Sequence, residues 1–225
     1  MARLVNGLLG TLSGVVGNLE VYMLNGKMVY RTRRAKSTKP PTEKQLVHQM
    51  KWRLAVRFLG AFTEFIRVGF TYVTTGTDHS PNNAAMSWHV KNAIAGEYPN
   101  FTIDYAAVRL SEGPMDTQRI DAAATVKDDK LIFTWKPDLS YAHANDNVML
   151  LAYAPAYNEA VYKVRGANRK TGTDELMLSA NCWDAGTEVH AWLSFIAENG
   201  TKCTNSIYLG GFNTHGLMNV QRTII

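Results

Sequence analysis

The sequence predicts an α+β, mainly β chain. A hairpin-plus-helices module spans residues 1–100, and an antiparallel β-sandwich spans residues 101–225. Three observations predict this. Asn25-Gly26 stands between two alternating apolar runs, the strongest short-range hairpin signal because both turn positions favour positive φ. After Thr42 the apolar residues recur at helical spacing. From Phe101 onward the period changes to two, with a turn signal between successive runs.

Taken in order, the chain opens on a stretch in which Gly7, Gly10, Gly14 and Gly17 interrupt Leu8, Leu12 and Val15. That pattern is too broken for the apolar stretch of a signal peptide, and it predicts a Gly-rich extended arm. Leu19, Val21 and Met23 alternate with Glu20 and Tyr22, and Met28 and Tyr30 continue the return strand. The segment from Lys36 to Pro41 breaks the pattern. Thr42 then fits a helix N-cap, with Gln45 placed to close a capping box.

On that helix Leu46, Val47, Met50, Leu54, Phe58, Ala61 and Phe65 share one face, while Trp52, Val56, Leu59 and Ile66 take nearly the opposite one. A helix apolar on two sides is buried on two sides, either by the rest of its own chain or by a partner copy. Gly69 ends it, and Phe70–Thr75 suits a short strand. Ser80-Pro81 opens a second helix running to about Ala95, with Gly96 as its stop. Candidate strands follow at Ile103–Leu110, Ala122–Val126, Lys130–Lys136, Asn147–Ala154, Ala160–Gly166, Glu175–Leu178, Val189–Ile196 and Ser206–Leu209.

Two resemblances add to this. Leu131-Ile-Phe133-Thr-Trp135 and Gly186-Thr187-Glu-Val189-His-Ala-Trp192-Leu-Ser-Phe195 resemble the early and late strands of a fibronectin type III-like module, over residues 101–212. The resemblance implies an immunoglobulin/fibronectin-type sandwich with Trp135 and Trp192 in its core. The N-terminal half, with Gly14-x-x-Gly17-Asn18, Gly26-Lys27, Val29-x-Arg31, Pro41-Thr42-x-x-Gln45, Arg53 and Phe58, resembles an uncharacterised bacterial, prophage-type domain-of-unknown-function family. That resemblance brings no activity with it.

Composition narrows the function. The chain of 225 residues carries a net charge of +5 and two cysteines, too few for a disulfide scaffold or an all-cysteine zinc site. No apolar run is long enough to span a membrane. Residues 1–60 hold eleven Lys/Arg against Glu20 and Glu43 alone, so the remainder of the chain is net acidic. Such a split suits contacts between neighbouring copies or attraction of phosphate. There is no phosphate loop, dinucleotide fingerprint, zinc-protease helix or nucleophile elbow. Cys182, His190, Cys203 and His215 lack the close ligand pairs of zinc modules, and Asp128-Asp129 reads as a turn. No catalytic residue, metal or cofactor is expected.

What remains is a non-enzymatic, self-assembling structural protein, a homo-oligomer of filament or surface-decorating type, or of the virion-like type that the resemblance to prophage-type proteins implies by analogy. Leu8, Leu12, Val15, Trp52, Val56 and Leu59 are its candidate assembly residues. The alternative is a nucleic-acid-binding protein. In either case Arg31, Arg33, Arg34, Lys36, Lys39, Arg53 and Arg57 are the candidate contacts to a polyanion or an acidic partner. A third reading is an enzyme or carbohydrate-binding module using aromatics on the sandwich, such as Trp183 or Tyr157. Without a clear signal peptide, synthesis is expected in the cytoplasm, with the final location open.

Overall fold

The computed structural model describes residues 3–5, 11–24, 26–35, 38–117, 120–127, 130–178, 183–184 and 186–214, of which residues 3–5 and 11–12 are described by backbone alone. Two compact units divide the chain, residues 1–43 and 44–225. The first holds an antiparallel sheet in the order β1 (Arg3–Val5), β2 (Thr11–Val16), β3 (Leu19–Leu24) and β4 (Lys27–Thr32). Leu24 pairs with Lys27 across the expected two-residue turn, where Gly26 has φ +76. The N-terminal arm is therefore not a free extension, because part of it forms strand. Val16 pairs with Leu19 across a second tight turn at Gly17 (φ +57), which folds β2 back onto the hairpin.

The second unit begins with α1 (Glu43–Gly60), directly after Thr42. The helix was expected to continue to Gly69, but it breaks at Gly60, an exposed residue of poor helix propensity, and α2 (Thr63–Gly69) follows. Phe70–Thr75 is not a strand but the helical turn α3 (Thr71–Thr74). Its β-branched threonines are accommodated because their hydroxyls bond back along the turn, Thr74 Oγ1 to Phe70 O at 3.1 Å and Thr75 Oγ1 to Thr71 O at 2.8 Å. α4 (Pro81–Asn92) starts as expected, with Ser80 Oγ accepting from the Asn83 N–H at 3.2 Å. It stops at Asn92, since Ile94–Glu97 (β5) turns back to pair with Asn100–Ile103 (β6). The expected strand Ile103–Leu110 is replaced by a 3-10 turn at Tyr105–Ala107, capped by Asp104, whose carboxylate accepts from the Ala106 N–H.

From here the period-two reading holds. β7 (Ala122–Lys127), β8 (Lys130–Trp135) and β11 (Thr173–Met177) form one sheet in the order β11-β8-β7. β9 (Asn147–Ala154), β10 (Glu159–Lys163), β12 (Glu188–Ile196) and β13 (Ile207–Asn213) form the other, in the order β10-β9-β12-β13. This is a four-on-three antiparallel sandwich. Its interior packs Leu131, Phe133 and Trp135 against Val148, Leu150, Leu193 and Phe195, and Trp135 meets Phe195 edge-to-face at 5.5 Å.

The helices are not a module of their own. Met149, Leu151, Tyr153, Trp192 and Ile196 share one core with Phe58, Phe62, Phe65, Ile66 and Met86. The boundary expected at residue 100 thus runs through the middle of a shared core, and Trp192 is buried on the helix side rather than inside the sandwich. The reason is that β9 and β12 bury both faces: one closes the sandwich, and the other is covered by the helices together with Tyr105, Val108 and Leu110.

That helix–sheet layer contains a titratable group. His89 on α4 is fully buried, and its Nδ1–H donates to Ala85 O at 2.7 Å, while Nε2 has no hydrogen-bond partner among the described residues. Burial, helped by the positive charge of Arg109, pushes its pKa down from 6.5 to about 4. Unfolding restores the higher value, so between these pH values the unfolded chain binds the proton and the folded one does not. Stability therefore falls as pH drops through this window, by about 3 kcal/mol from this group. In urea titrations across pH 4–7, His89→Leu should flatten the acid limb by about that amount; an unchanged limb would contradict the assignment.

Candidate assembly surface

In the first unit the register sorts the side chains into two faces. Val16, Leu19 and Thr32 lie in one cross-strand row, Gly14, Val21 and Tyr30 in the next, and Met23 opposite Met28 in a third. All three rows share one face. The other face carries Val15, Glu20 and Arg31 in a row, then Tyr22 with Val29, and Leu24 with Lys27. One side is thus almost wholly apolar, and the other mixes apolar with charged groups. Among the described residues of the apolar side, Val21 alone is buried; Val16, Leu19 and Met23 are about half exposed and Tyr30 is 60% exposed. Tyr30 Oη donates to Met28 Sδ, tying two members of that face together.

The predicted assembly residues fare unevenly. Leu8 lies outside the described residues, and Leu12 is placed only as backbone in β2. Val15 sits opposite Glu20 on the charged face, so the apolar face uses its neighbour Val16 instead. A period of two makes this a one-residue difference that the broken arm pattern could not resolve. On α1, Trp52 and Val56 are 46% and 48% exposed, whereas Leu59 is only 4% exposed. Leu59 is in the last turn before the helix breaks, and it joins Phe58 and Phe62 in the helix–sheet core. It is corrected to a core residue.

The basic residues are divided between the two units. Arg31 gives two hydrogen bonds to Glu20 Oε2, at 2.9 and 2.7 Å, and lies over the Tyr22 ring at 5.2 Å. The bond to Glu20 raises the guanidinium pKa further above its ordinary value. Arg33 and Arg34 follow β4, exposed and without an ion pair among the described residues; the Arg33 N–H donates to Asn18 O at 2.7 Å. Lys39 is exposed, and Lys36 lies outside the described residues. Arg53 and Arg57 belong to the second unit, exposed on α1.

The sandwich brings together a cluster that spacing alone did not flag. His190 Nδ1 meets Tyr208 Oη at 2.8 Å, its Nε2 lies 3.6 Å from Glu188 Oε1, and Tyr105 stacks on the imidazole at 3.7 Å. Burial lowers the His190 pKa and pushes Tyr105 up to about 12, so the imidazole stays neutral and the phenol keeps its proton. This arrangement fixes rings in place rather than activating a nucleophile. The alternation of His190 and Trp192 on β12 was the available signal. Tyr157 Oη donates to Asp184 and Trp183 Nε1 to Glu159, so both proposed sugar platforms are engaged by carboxylates. Cys203 is buried with its thiol on Gly69 O and Glu112 O and its pKa pushed up to about 11; Cys182, Asp128, Asp129 and His215 lie outside the described residues. Among the described residues no helix is long and apolar enough to cross a membrane.

Comparison with known proteins gives one family and one structural likeness. A model described as "Family of unknown function (DUF6266)" matches residues 11–210. No curated protein matches the chain. A solved structure, the FN1–FN3 domains of chicken CNTN1, aligns at 11% identity with a TM-score of 0.33, covering 47% of this chain and 34% of that one. The likeness spans about a third of that protein's length.

Burial separates the helix residues experimentally. Leu59→Ala should cost about 2–4 kcal/mol in chemical denaturation, through lost burial and the cavity left behind. Trp52→Ser and Val56→Ser should each stay within about 1 kcal/mol of wild type. Equal costs at the three positions would contradict this placement.

Proposed function

The chain belongs to this family of unknown function, and from its own geometry we propose that it is a non-enzymatic structural protein that self-assembles through its N-terminal sheet. The observation that carries the reading is the apolar face on which Val16, Leu19, Met23 and Tyr30 stand exposed around buried Val21, with no second sheet layer among the described residues of that unit. An apolar sheet face is stable when a second layer packs on it about 10 Å away, and a second copy of the same face is self-complementary.

Magnitudes set the strength of such a contact. Completing the burial of half-exposed Val, Leu, Met and Tyr side chains is worth roughly 1 kcal/mol each, so two copies together contribute about 8–10 kcal/mol. Association itself costs about 4–15 kcal/mol. The face alone therefore supports concentration-dependent pairing, and higher assembly requires further surfaces such as exposed Trp52 and Val56. Strand addition at β4 is the weaker mode, because Lys27, Arg31, Arg33 and Arg34 place cations along and beside that edge, where they discourage pairing. Nucleic-acid binding is the second reading. It is favoured by Arg33 and Arg34, exposed and without ion pairs among the described residues close in sequence to exposed Tyr30.

Light scattering coupled to size exclusion, over a range of protein concentrations, tests both. Mass should rise with concentration for the wild type and stay monomeric for Leu19→Thr/Met23→Thr, whose β-branched replacements keep strand propensity. Arg33→Ser/Arg34→Ser should leave mass unchanged. A wild type that is monomeric throughout, or a double threonine variant that assembles equally, would sink the assembly reading. A salt-sensitive nucleic-acid peak lost in the arginine variant would put the second reading in its place. Electron microscopy of the assembled peak would separate closed rings from filaments or a virion-like lattice.

A further inference from the structure

In the second unit a groove runs between α1 and β6. It consists of two adjoining hollows, of about 190 Å³ and about 250 Å³, which share Leu54, Arg57 and Phe101 as walls. Arg53 and Pro99 flank the first, and Tyr153 and Asn158 close the second.

The strand side of the groove is a backbone edge. Phe101, Thr102 and Ile103 all line the second hollow, yet consecutive strand residues point to opposite faces. Three in a row therefore border the hollow with backbone as well as side chains. None of the β5 residues lines it, so the edge is the one turned away from β5. Among the described residues β6 pairs with β5 alone, which leaves a row of unpaired backbone groups facing the groove.

The helix side supplies charge of one sign. Arg53 and Arg57 stand one turn apart on α1, exposed, and neither makes an ion pair among the described residues. No carboxylate lines either hollow, and Lys51 Nζ sits 5.0 Å from the centre of the Phe101 ring. Residues four apart on a helix are about 5–6 Å apart, and alternate side chains of an extended strand about 6.7 Å. Two carboxylates at alternate positions of a strand can therefore meet the two guanidiniums. The rings lining the second hollow are already engaged, which does not suit stacking of a nucleic-acid base: Phe58 and Tyr153 pack edge-to-face at 5.0 Å, Tyr105 stacks on His190 at 3.7 Å, and Lys51 lies over Phe101.

We propose that this groove binds an extended acidic peptide segment of a partner protein, added as a strand along the free edge of β6, with carboxylates on Arg53 and Arg57 and large apolar side chains in the two hollows. Main-chain pairing gives affinity and the hollows give selectivity, as in other strand-addition sites. The site is independent of the N-terminal sheet, so failure of either proposal leaves the other standing.

The test uses the full chain and a labelled synthetic peptide that alternates aspartate with leucine and phenylalanine. Fluorescence anisotropy should show saturable binding, weakened on the order of tenfold in Arg53→Ala/Arg57→Ala and by added salt. Hydrogen exchange should slow at the β6 amides when the peptide binds. Both arginines are exposed, so the variant should keep the wild-type melting curve and the loss can be assigned to the groove. No saturable binding, or equal binding of the same peptide with lysine for aspartate, would overturn the proposal. So would inorganic phosphate competing fully without β6 protection, which would make this an anion site only. An oligothymidylate probe that binds more tightly through the same arginines would replace the peptide with nucleic acid.

Discussion

Strands β9 and β12 carry large apolar side chains on both faces, and a sheet so built must be covered twice. Val148, Leu150, Leu193 and Phe195 close the sandwich against Leu131, Phe133 and Trp135. The alternate set, Met149, Leu151, Tyr153, Trp192 and Ile196, needs a second cover and finds it in α1, α2 and α4. Everything between Lys44 and Leu110 follows from that need: the helix break at Gly60, the short turn α3 and the descent through Val108 and Leu110 all serve to lay apolar residues on one sheet face. The attachment is close enough to admit no side chain at its seam. A Cβ on Gly69, at the end of α2, would stand 2.4 Å from Leu110 O, and one on Gly113 would stand 2.1 Å from Cys203 O. Ser111 Oγ donates to Thr204 O at 2.8 Å and Ser206 Oγ accepts from the Leu110 N–H at 2.8 Å, so the same seam is also hydrogen-bonded between segments more than ninety residues apart.

This explains which parts of the fold were legible in the sequence. The sandwich strands could be read because period two and turn residues are local properties: Asn147–Ala154 was placed to the residue, and Val189–Ile196 to within one. The hairpin register at Gly26 was equally local. What failed were inferences about what covers what. Asn-Val-Met-Leu-Leu-Ala-Tyr-Ala has no polar alternation after its first residue, a pattern that itself indicates burial on two faces. Reading that run literally would have drawn the helices onto the sheet and removed the boundary at residue 100. Leu59 was misassigned because helical angle alone groups it with Trp52 and Val56, and only the break that follows decides its side. Phe70–Thr75 was misassigned because β propensity yields to threonine hydroxyls that can satisfy a helical turn.

The candidate surfaces were legible as residue types and not as places. The basic residues at 31–57 were visible at once, but not what each of them meets: Glu20 occupies Arg31, while Arg53 and Arg57 reach a groove whose other wall lies some fifty residues further on. The buried polar groups were invisible for the same reason. His89 Nε2, Trp192 Nε1 and Ser194 Oγ make no hydrogen bond among the described residues, although all three residues are fully buried. Each such group costs about 1–3 kcal/mol. A helix–sheet layer that tolerates them is held by its large apolar surface, and in it an imidazole stays neutral because ionising it would cost more still.

The edges of β4 and β6 differ in where their cations sit, and that difference separates their roles. At β4 the cations lie on the strand itself and just beyond it, so an incoming strand would have to bring its backbone alongside positive side chains that prefer water. Such an edge resists indiscriminate pairing and leaves the apolar face as the surface through which that sheet can associate. At β6 the strand is uncharged from Asn100 to Ile103, and the cations stand across a groove on α1. There they do not oppose backbone pairing in general; they select the incoming strand by the charge of its side chains, while Leu54 and Phe101 select its apolar positions. Moving the same charge from the strand to the facing helix converts a guard into a filter, and only the second arrangement has hollows on either side of the charge to hold what it admits.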